Sequence, residues 1–480
     1  MENINRYSCN LSSKLYKSER IYEQKLGNRW VIFIPDYEGM PIIISQRVHK
    51  ILNLFKKGLK ISEAILLYHR NNYSANYVGE MLSTISLLHT KRFLRNSPNK
   101  LPYTPYKNEN SYPKSIGVWL HITNECNLNC SYCFVKNHSK ITMDIKTFQF
   151  IAQALIETAK KYNINQIHLK FAGGEPTLKL TLIEKFIYLI SEKAERNNIE
   201  IFYSILSNGT ILNEQLIRLL KQPKCGIGIS IDGYGEIHNT FRKFRNSDLG
   251  SWKKIEQNIS ILKQNGILPY IMSTISKETA DSLPELTNWI FSNQMKTRLN
   301  IVRETNCSWQ NQSSTIIEYK NMCDLMINAF DKSLALLENS SFKIDLIDGL
   351  GICELHFDKP AKGVICGIGK NHLVVKPNGK IVSCPMLIDE EGIKPSHNLI
   401  QSIRKTFPYS PFSKKTLNKI ENDCLYCLWY PVCCGECPII NNWINGYPFT
   451  KSPMCDFFQF IIPRFIQFYA KKLIQQELME

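Results

Sequence analysis

The chain has 480 residues, enough for two to four domains at roughly 100–200 residues each. With 44% apolar residues it can build large cores, which excludes a disordered polymer. Lys and Arg outnumber Asp and Glu to give a formal net charge of +17, which suits an acidic partner but also describes many ordinary Lys-, Ile- and Asn-rich proteins.

Met1–Arg20 is polar and lacks the apolar stretch of a signal peptide, so the chain is expected to be cytoplasmic. Its 16 cysteines then point to metal binding rather than to disulfides. No membrane span is expected. The most apolar run, Phe457–Ala470, is about half the needed length and is interrupted by Pro463 and Arg464.

Residues 1–95 read as a small α+β module. Trp30–Ile34 and Met40–Ile44 are β-rich runs joined by the turn Pro35-Asp36-Tyr37-Glu38-Gly39, which predicts a hairpin. Three helical patterns follow. Val48, Ile51, Leu52 and Phe55 share one face, with Gly58 as a stop. Ile61, Ile65 and Tyr68 mark a second helix. Ser74 caps a third, with Val78, Met81, Leu82 and Ile85 on one side. Residues 96–114 are polar and proline-rich, as in a linker.

From Ser115 strands and helices alternate. Ile116–Ile122, Ile167–Phe171, Glu200–Leu206, Gly226–Ile231, Leu268–Ile275 and Leu299–Val302 read as short buried strands. Met143–Tyr162, Leu180–Arg196, Trp252–Lys263 and Ile316–Leu336 read as helices among them. Repeated β-α units imply a parallel sheet with function at the C-terminal strand ends. Six such units make a partial (β/α)6 barrel, assigned to residues 115–345. From about Cys353 the periodicity fades and cysteines crowd in. Residues 346–462 therefore read as a metal-ordered domain, followed by a helix over 463–480.

The densest chemistry lies just after the first of those strands, where Cys126, Cys130 and Cys133 are spaced C-x3-C-x2-C. Three thiolates on one loop can hold three irons of a [4Fe–4S] cube and leave the fourth open to a small molecule; ferredoxin-type sites supply four cysteines per cluster. A zinc knuckle completed by His121 or His138 is the alternative, in a context unlike a small zinc module. The loop, with Tyr132 in the aromatic position, resembles the signature of the radical S-adenosylmethionine (SAM) superfamily. That resemblance implies that the open iron binds the amino and carboxylate groups of SAM, and that reductive cleavage yields a 5′-deoxyadenosyl radical that abstracts hydrogen. It also implies a reduced ferredoxin or flavodoxin as electron donor.

Downstream residues agree in order. Gly173-Gly174-Glu175-Pro176 follows the second strand and resembles the family's motif for the SAM amino group, with Glu175 and exposed carbonyls as acceptors. Ser207 and Asn208 end the third strand and resemble the family's ribose-contacting position. Ser230 and Asp232 end the fourth, and Arg242 follows. Ser230 and Arg242 are expected to hold the SAM carboxylate. Each alone is an ordinary loop polar group or cap; the set, all at strand ends, is what points to a site.

Seven C-terminal cysteines form a second constellation. Cys366 is followed by Gly379 and Cys384, then by Cys424-x2-Cys427-x5-Cys433-x3-Cys437 and finally Cys455. Paired C-x2-C zinc sites are the alternative. The spacing is similar to that of the SPASM domain, which carries two auxiliary [4Fe–4S] clusters. By that resemblance Cys424, Cys427, Cys433 and Cys455 ligate the distal cluster. Cys366, Cys384 and Cys437 ligate the nearer one, with Cys353 or an open position completing it. The expected cofactors are SAM and three [4Fe–4S] clusters. Cys434 falls outside the pattern. Cys9, Cys225, Cys307 and Cys323 read as buried apolar residues.

The hairpin-and-helices pattern over about residues 23–95 resembles the PqqD-like element, a winged helix-turn-helix that holds the leader of a ribosomally made precursor peptide as an added strand. The basic run Lys91-Arg92-Phe93-Leu94-Arg95 would aid capture of an acidic leader. A DNA-binding winged helix is the less favoured reading, as is a module that only packs. Together these resemblances imply a peptide maturase that installs a thioether or carbon–carbon crosslink. Alternatives are a sulfatase-type maturase forming formylglycine, a peptide epimerase, and a leader-binding redox scaffold without activity. No general base is assignable from the sequence.

Overall fold

In the computed structural model the described residues are 10–37, 39–68, 75–98, 113–135, 138–303, 316–342, 345, 349–353, 355, 357, 365–409, 420 and 422–477. Cys9, Ser74, Cys307 and most of the expected linker lie outside them.

The central sheet follows from period-2 alternation. In Ser115–Thr123, Ile116, Val118, Leu120 and Ile122 are buried on one face and pack against helices, while Gly117, Trp119 and His121 take the other. Numbering strands along the chain, this is β7. It is joined by β8 (Gln166–Gly173), β9 (Glu200–Ser207), β10 (Cys225–Ser230), β11 (Tyr270–Ile275), β12 (Lys296–Ile301), β13 (Leu350–Ile352), β14 (His372–Val375) and β15 (Ile381–Val382). The order is β13-β12-β11-β10-β9-β8-β7-β14-β15. All neighbours are parallel except β14 and β15, which are antiparallel.

The six expected strands are present as a parallel series, and the sheet extends past both ends of that series. β13 adds a seventh parallel strand beside β12. On the far side β14, from the cysteine-rich region, pairs with β7. At three residues, β13 is too short to show a period in sequence, and among the described residues no helix lies between it and β14, so neither reads as a β-α unit. The covering helices Ile145–Tyr162, Leu180–Glu195, Trp252–Gln264 and Leu283–Ser292 present Phe148, Ile151, Phe186, Ile190, Ile255 and Leu286 to the sheet.

The N-terminal part holds two small antiparallel sheets. β1 (Lys14–Lys17) pairs with β5 (Leu59–Lys60) and β6 (Leu94–Arg95). β3 (Arg29–Phe33) lies between β2 (Tyr22–Leu26) and β4 (Ile42–Ser45). The helices Gln46–Leu54, Ile61–Tyr68 and Ala75–Thr90 close their own core around Ile51, Leu52, Phe55, Ile61, Met81 and Ile85. Ser45 caps the first, its hydroxyl accepting from Val48 N.

The final helix is longer than expected. It runs Cys455–Glu477 with Pro463 inside it, because Phe457, Phe458, Ile461, Ile462, Phe465, Ile466 and Phe468 form a continuous buried stripe. That stripe packs against the helix Ile316–Glu338 and against Val31 and Phe33 of β3. One apolar core therefore joins both ends of the chain. Arg464 clasps the helix pair through Asp331 and Glu338, and Lys471 adds a second bond to Glu338. Among the described residues no helix is long and apolar enough to cross a membrane.

Candidate active site and cysteine clusters

The Cys126–Cys133 loop leaves β7 at its C-terminal end and is held by backbone. Asn129 N donates to Lys243 O at 2.9 Å and Ser131 N to Phe241 O at 3.2 Å, while Arg245 N returns to Asn127 O at 2.9 Å. The Arg245 guanidinium reaches the carbonyls of Cys126 and Leu128. The loop is thus a strip paired to residues 241–245, and sequence reading had not singled out Arg245.

The Gly173-Gly174 turn crosses directly over the start of this loop. Gly174 N donates to Thr123 O at 2.7 Å and Glu175 N to Glu125 O at 2.8 Å. A Cβ on Gly173 would lie 2.4 Å from Thr123 O, and one on Gly174 2.4 Å from Glu125 O. Gly173 also has φ 138°. Both glycines are therefore set by close backbone approach.

Glu175 anchors the same turn. It is completely buried, and both carboxylate oxygens are taken by the protein. Oε1 accepts from Thr177 N (3.0 Å), Thr177 Oγ1 (2.6 Å) and Ser207 Oγ (2.9 Å); Oε2 accepts from Asn208 N (2.7 Å). Burial pushes its acidity down, raising the pKa, and these donors pull the other way. Glu175 ties the ends of β8 and β9 together. Asn208 in turn donates to Asn127 Oδ1 at 2.9 Å and lies 3.9 Å from Cys126 Sγ.

Asp232, Arg242 and Tyr132 form a buried network. Arg242 Nε donates to Asp232 Oδ2 at 2.6 Å and Nη2 to Tyr132 Oη at 2.5 Å; Tyr132 Oη also donates to Asp232. Thr274 N and Asp232 Oδ1 are bonded at 2.9 Å, fixing the network to β11. Burial works against the Arg242 charge, but Asp232, Tyr132 and Cys130 more than offset it and hold its pKa well above the usual value. The Arg242 side chain is engaged by these protein groups, with Nη1 3.9 Å from Cys130 Sγ. Ser230, at the end of β10, is half-buried.

His238 supports the same network and was not anticipated. Its Nδ1 accepts from Asp232 N at 3.4 Å, and Nε2 is 2.9 Å from Ser251 Oγ. Burial, with Arg242 nearby, lowers its pKa to about 3, so it stands neutral.

None of the 14 described cysteines is in a disulfide. Burial raises Cys126 to about 11 and Cys130 to about 12, the latter against the pull of Arg242. Such thiols stay protonated alone and release protons when they ligate metal. Among the described residues no group of three or more His, Cys, Asp or Glu is drawn tightly enough to hold a single metal ion. A four-iron cube instead spreads its thiolates over its corners. Three free thiols on one loop, in a low-dielectric setting with Arg242 beside one of them, are a donor set of the right chemistry for an anionic cluster.

The C-terminal cysteines separate into two neighbourhoods. Burial raises Cys384, and Cys437 and Cys366 raise it further by their proximity. Burial raises Cys433, with Cys427 and Cys424 among its neighbours, and Cys427 also acts on Cys455. Cys384 is thus near Cys366 and Cys437, and Cys427 near Cys433 and Cys455. Cys353 is buried in the apolar core shared with the final helix. Between Cys433 and Cys437 the backbone turns through three left-handed residues, Cys434 (φ 45°), Gly435 (φ 77°) and Glu436 (φ 70°). Glu436 is locked by Ser452 Oγ (2.7 Å) and Arg303 Nε (3.2 Å). Arg303 also acts on Cys384 and Cys437, and only the tertiary structure places it there. Cys434 and Cys323 are buried and Cys225 is half-buried.

Comparison with known proteins agrees with this geometry. Residues 120–290 match the Radical SAM superfamily. The chain is 27% identical over 354 residues to a cysteine-type anaerobic sulfatase-maturating enzyme of Clostridium novyi, covering 69% of this chain and 91% of the relative. It is 21% identical over 453 residues to the radical SAM cyclopropyl synthase TigE of Paramaledivibacter caminithermalis, covering 88% and 90%. The structure of native anSMEcpe with bound AdoMet and Cp18Cys peptide matches 75% of this chain and 99% of its own at TM-score 0.58 and 20% identity. Streptococcus suis SuiB bound to precursor peptide SuiA matches 92% and 99% at TM-score 0.52 and 13% identity. At these identities the structural likeness establishes a shared fold. Enzymes of this family work with SAM and a [4Fe–4S] cluster, and with its radical SAM domain at residues 120–290 this chain is a radical SAM enzyme.

Proposed function

We propose that the protein is a peptide maturase that closes a thioether or carbon–carbon crosslink in a ribosomally made precursor peptide. In this reading residues 1–95 dock the leader, 115–345 are the radical SAM core, 346–462 carry the auxiliary clusters, and the helix of 463–480 completes the C-terminus. The observation that carries the reading is the joint presence of three cysteine sets and an added N-terminal module in one chain.

Cys126, Cys130 and Cys133 would hold the radical-generating cluster. When bound, that cluster and SAM supply a carbon-centred radical that removes hydrogen from the substrate. Gly173 and Gly174 offer backbone for close approach of the SAM amino group, and Pro176 stiffens their turn. Ser207, Asn208 and Ser230 stand at the neighbouring strand ends. Glu175, Asp232, Arg242 and Tyr132 act behind them, fixing the strand ends and the cysteine loop. Cys424, Cys427, Cys433 and Cys455 would hold a distal cluster, and Cys366, Cys384 and Cys437 a nearer one. Among the described residues no further strand pairs with β2 or β4, and these edges would offer backbone to an extended leader.

A sulfatase-type maturase is the second reading, favoured by the 27% identical relative. The TigE likeness, which runs over 88% of the chain, favours bond formation, since closing a cyclopropyl ring is also carbon–carbon bond formation. The test is anaerobic co-expression with the short peptides encoded beside the gene, with Cys126→Ala as control. A Cys126-dependent loss of about two mass units is expected from one new bond and two lost hydrogens. Fragmentation then separates a crosslink between residues from a ring within one. Unchanged peptide masses with SAM still consumed would overturn the crosslinking reading.

A further inference from the structure

The connection between β1 and β2 carries Arg20, which is 4% exposed. Its guanidinium leaves its own module and enters the cysteine-rich region. Nη2 donates to the Cys427 carbonyl at 2.6 Å, with longer contacts to Leu428 O at 3.5 Å and, from Nη1, to Leu425 O at 3.4 Å. The Leu425 carbonyl is in the last turn of the short helix Asn422–Tyr426 and those of Cys427 and Leu428 follow its end, with Cys427 O also accepting from Tyr430 N at 3.4 Å. A planar guanidinium can serve several of them at once, which a lysine ammonium on its flexible stem does less well.

Two residues further on, the Tyr22 ring packs on Trp429 with centroids 5.2 Å apart. Its hydroxyl accepts from Gln467 Nε2 at 3.0 Å, in the helix that begins at Cys455. The stretch 20–22 therefore braces both parts of the four-cysteine set: the turn with Cys424 and Cys427, and the helix headed by Cys455.

We propose that Arg20 is a positioning residue for the distal cluster. It holds the Cys424–Cys427 turn in its ligating shape by serving that turn's backbone carbonyls from a buried guanidinium. Since Arg20 belongs to the N-terminal module, docking of that module and loading of the distal site are one event. This rests on the reading of the C-terminal cysteines as two cluster sites.

The test uses the full chain, reconstituted anaerobically with iron and sulfide. Iron is counted and the reduced protein is examined by electron paramagnetic resonance (EPR). Cys424→Ala sets the signature of a missing distal cluster. Arg29→Gln is the control, since Arg29 pairs with Glu477 and also links module to final helix, away from the cysteine turn. Arg20→Gln should lose about a third of the iron, one four-iron cluster of three, and the same EPR signal as Cys424→Ala. Arg20→Lys should keep the iron but shift that signal, and Arg29→Gln should match wild type. Full iron with a wild-type spectrum in Arg20→Gln overturns the proposal, as does equal iron loss in Arg29→Gln. If Arg20→Gln does not fold, Arg20→Lys decides: an unchanged signal overturns the proposal and a shifted one supports it. Full iron in Cys424→Ala would overturn the cluster reading itself, a failure distinct from that of Arg20.

Discussion

The two cysteine regions are built on opposite principles. The Cys126–Cys133 loop is a single short segment laid across the ends of parallel strands and fixed by a buried polar network. The C-terminal cysteines come from segments spread over Cys366 to Cys455, most of them on short helices or turns with Cys455 heading the helix Cys455–Glu477, and Cys366, Cys384, Cys424, Cys427 and Cys437 pack with an apolar cluster around Phe407, Tyr430, Ile440, Tyr447 and Phe449. A strand-end site inherits its precision from the sheet. A site made of turns must take its precision from side-chain packing and from neighbours such as Arg20.

The largest expected effect tests the polar half of that contrast. Asp232→Ala leaves Arg242 buried without its carboxylate, and breaking a buried pair this way costs about 3–5 kcal/mol. Denaturant unfolding should show that loss, together with a collapse of SAM cleavage. A stability change under about 1 kcal/mol would mean the network is incidental to the loop.

Phe449→Ala tests the apolar half. Phe449 is 2% exposed, and truncating a buried phenylalanine costs about 3 kcal/mol or more. The expected outcome is loss of auxiliary iron with SAM cleavage by the strand-end site retained. Equal loss of both would show that the two regions are not separable.

The smallest effect is a pH dependence. His238 has a folded pKa of about 3 against an ordinary 6.5. The unfolded chain therefore takes up a proton first as pH falls, and the stability this residue contributes is present above about pH 6.5 and declines from there toward pH 3. His238→Gln should flatten that part of the stability–pH curve, read by urea midpoints at successive pH values. An unchanged slope would remove His238 from the network that supports Asp232.

Much of this organisation is written in the sequence. Local spacing identifies Cys126, Cys130 and Cys133, and period-2 alternation marks the six-strand series, because both signals are complete within a few residues. The seven-cysteine spacing likewise sorts the C-terminal thiols into two expected sets. The sequence does not show that Glu175 and Arg242 face protein partners, since a strand-end carboxylate or guanidinium looks the same whether it meets a ligand or Ser207, Asn208 and Asp232. The added strands β13 and β14 are equally hidden, being too short for a period and paired to strands far away in the chain. Arg20, Arg303 and Arg245 carry no local signal at all. Their partners are backbone carbonyls or a buried glutamate brought to them from distant segments, and only tertiary packing, which excludes water around those contacts, decides that an arginine goes there.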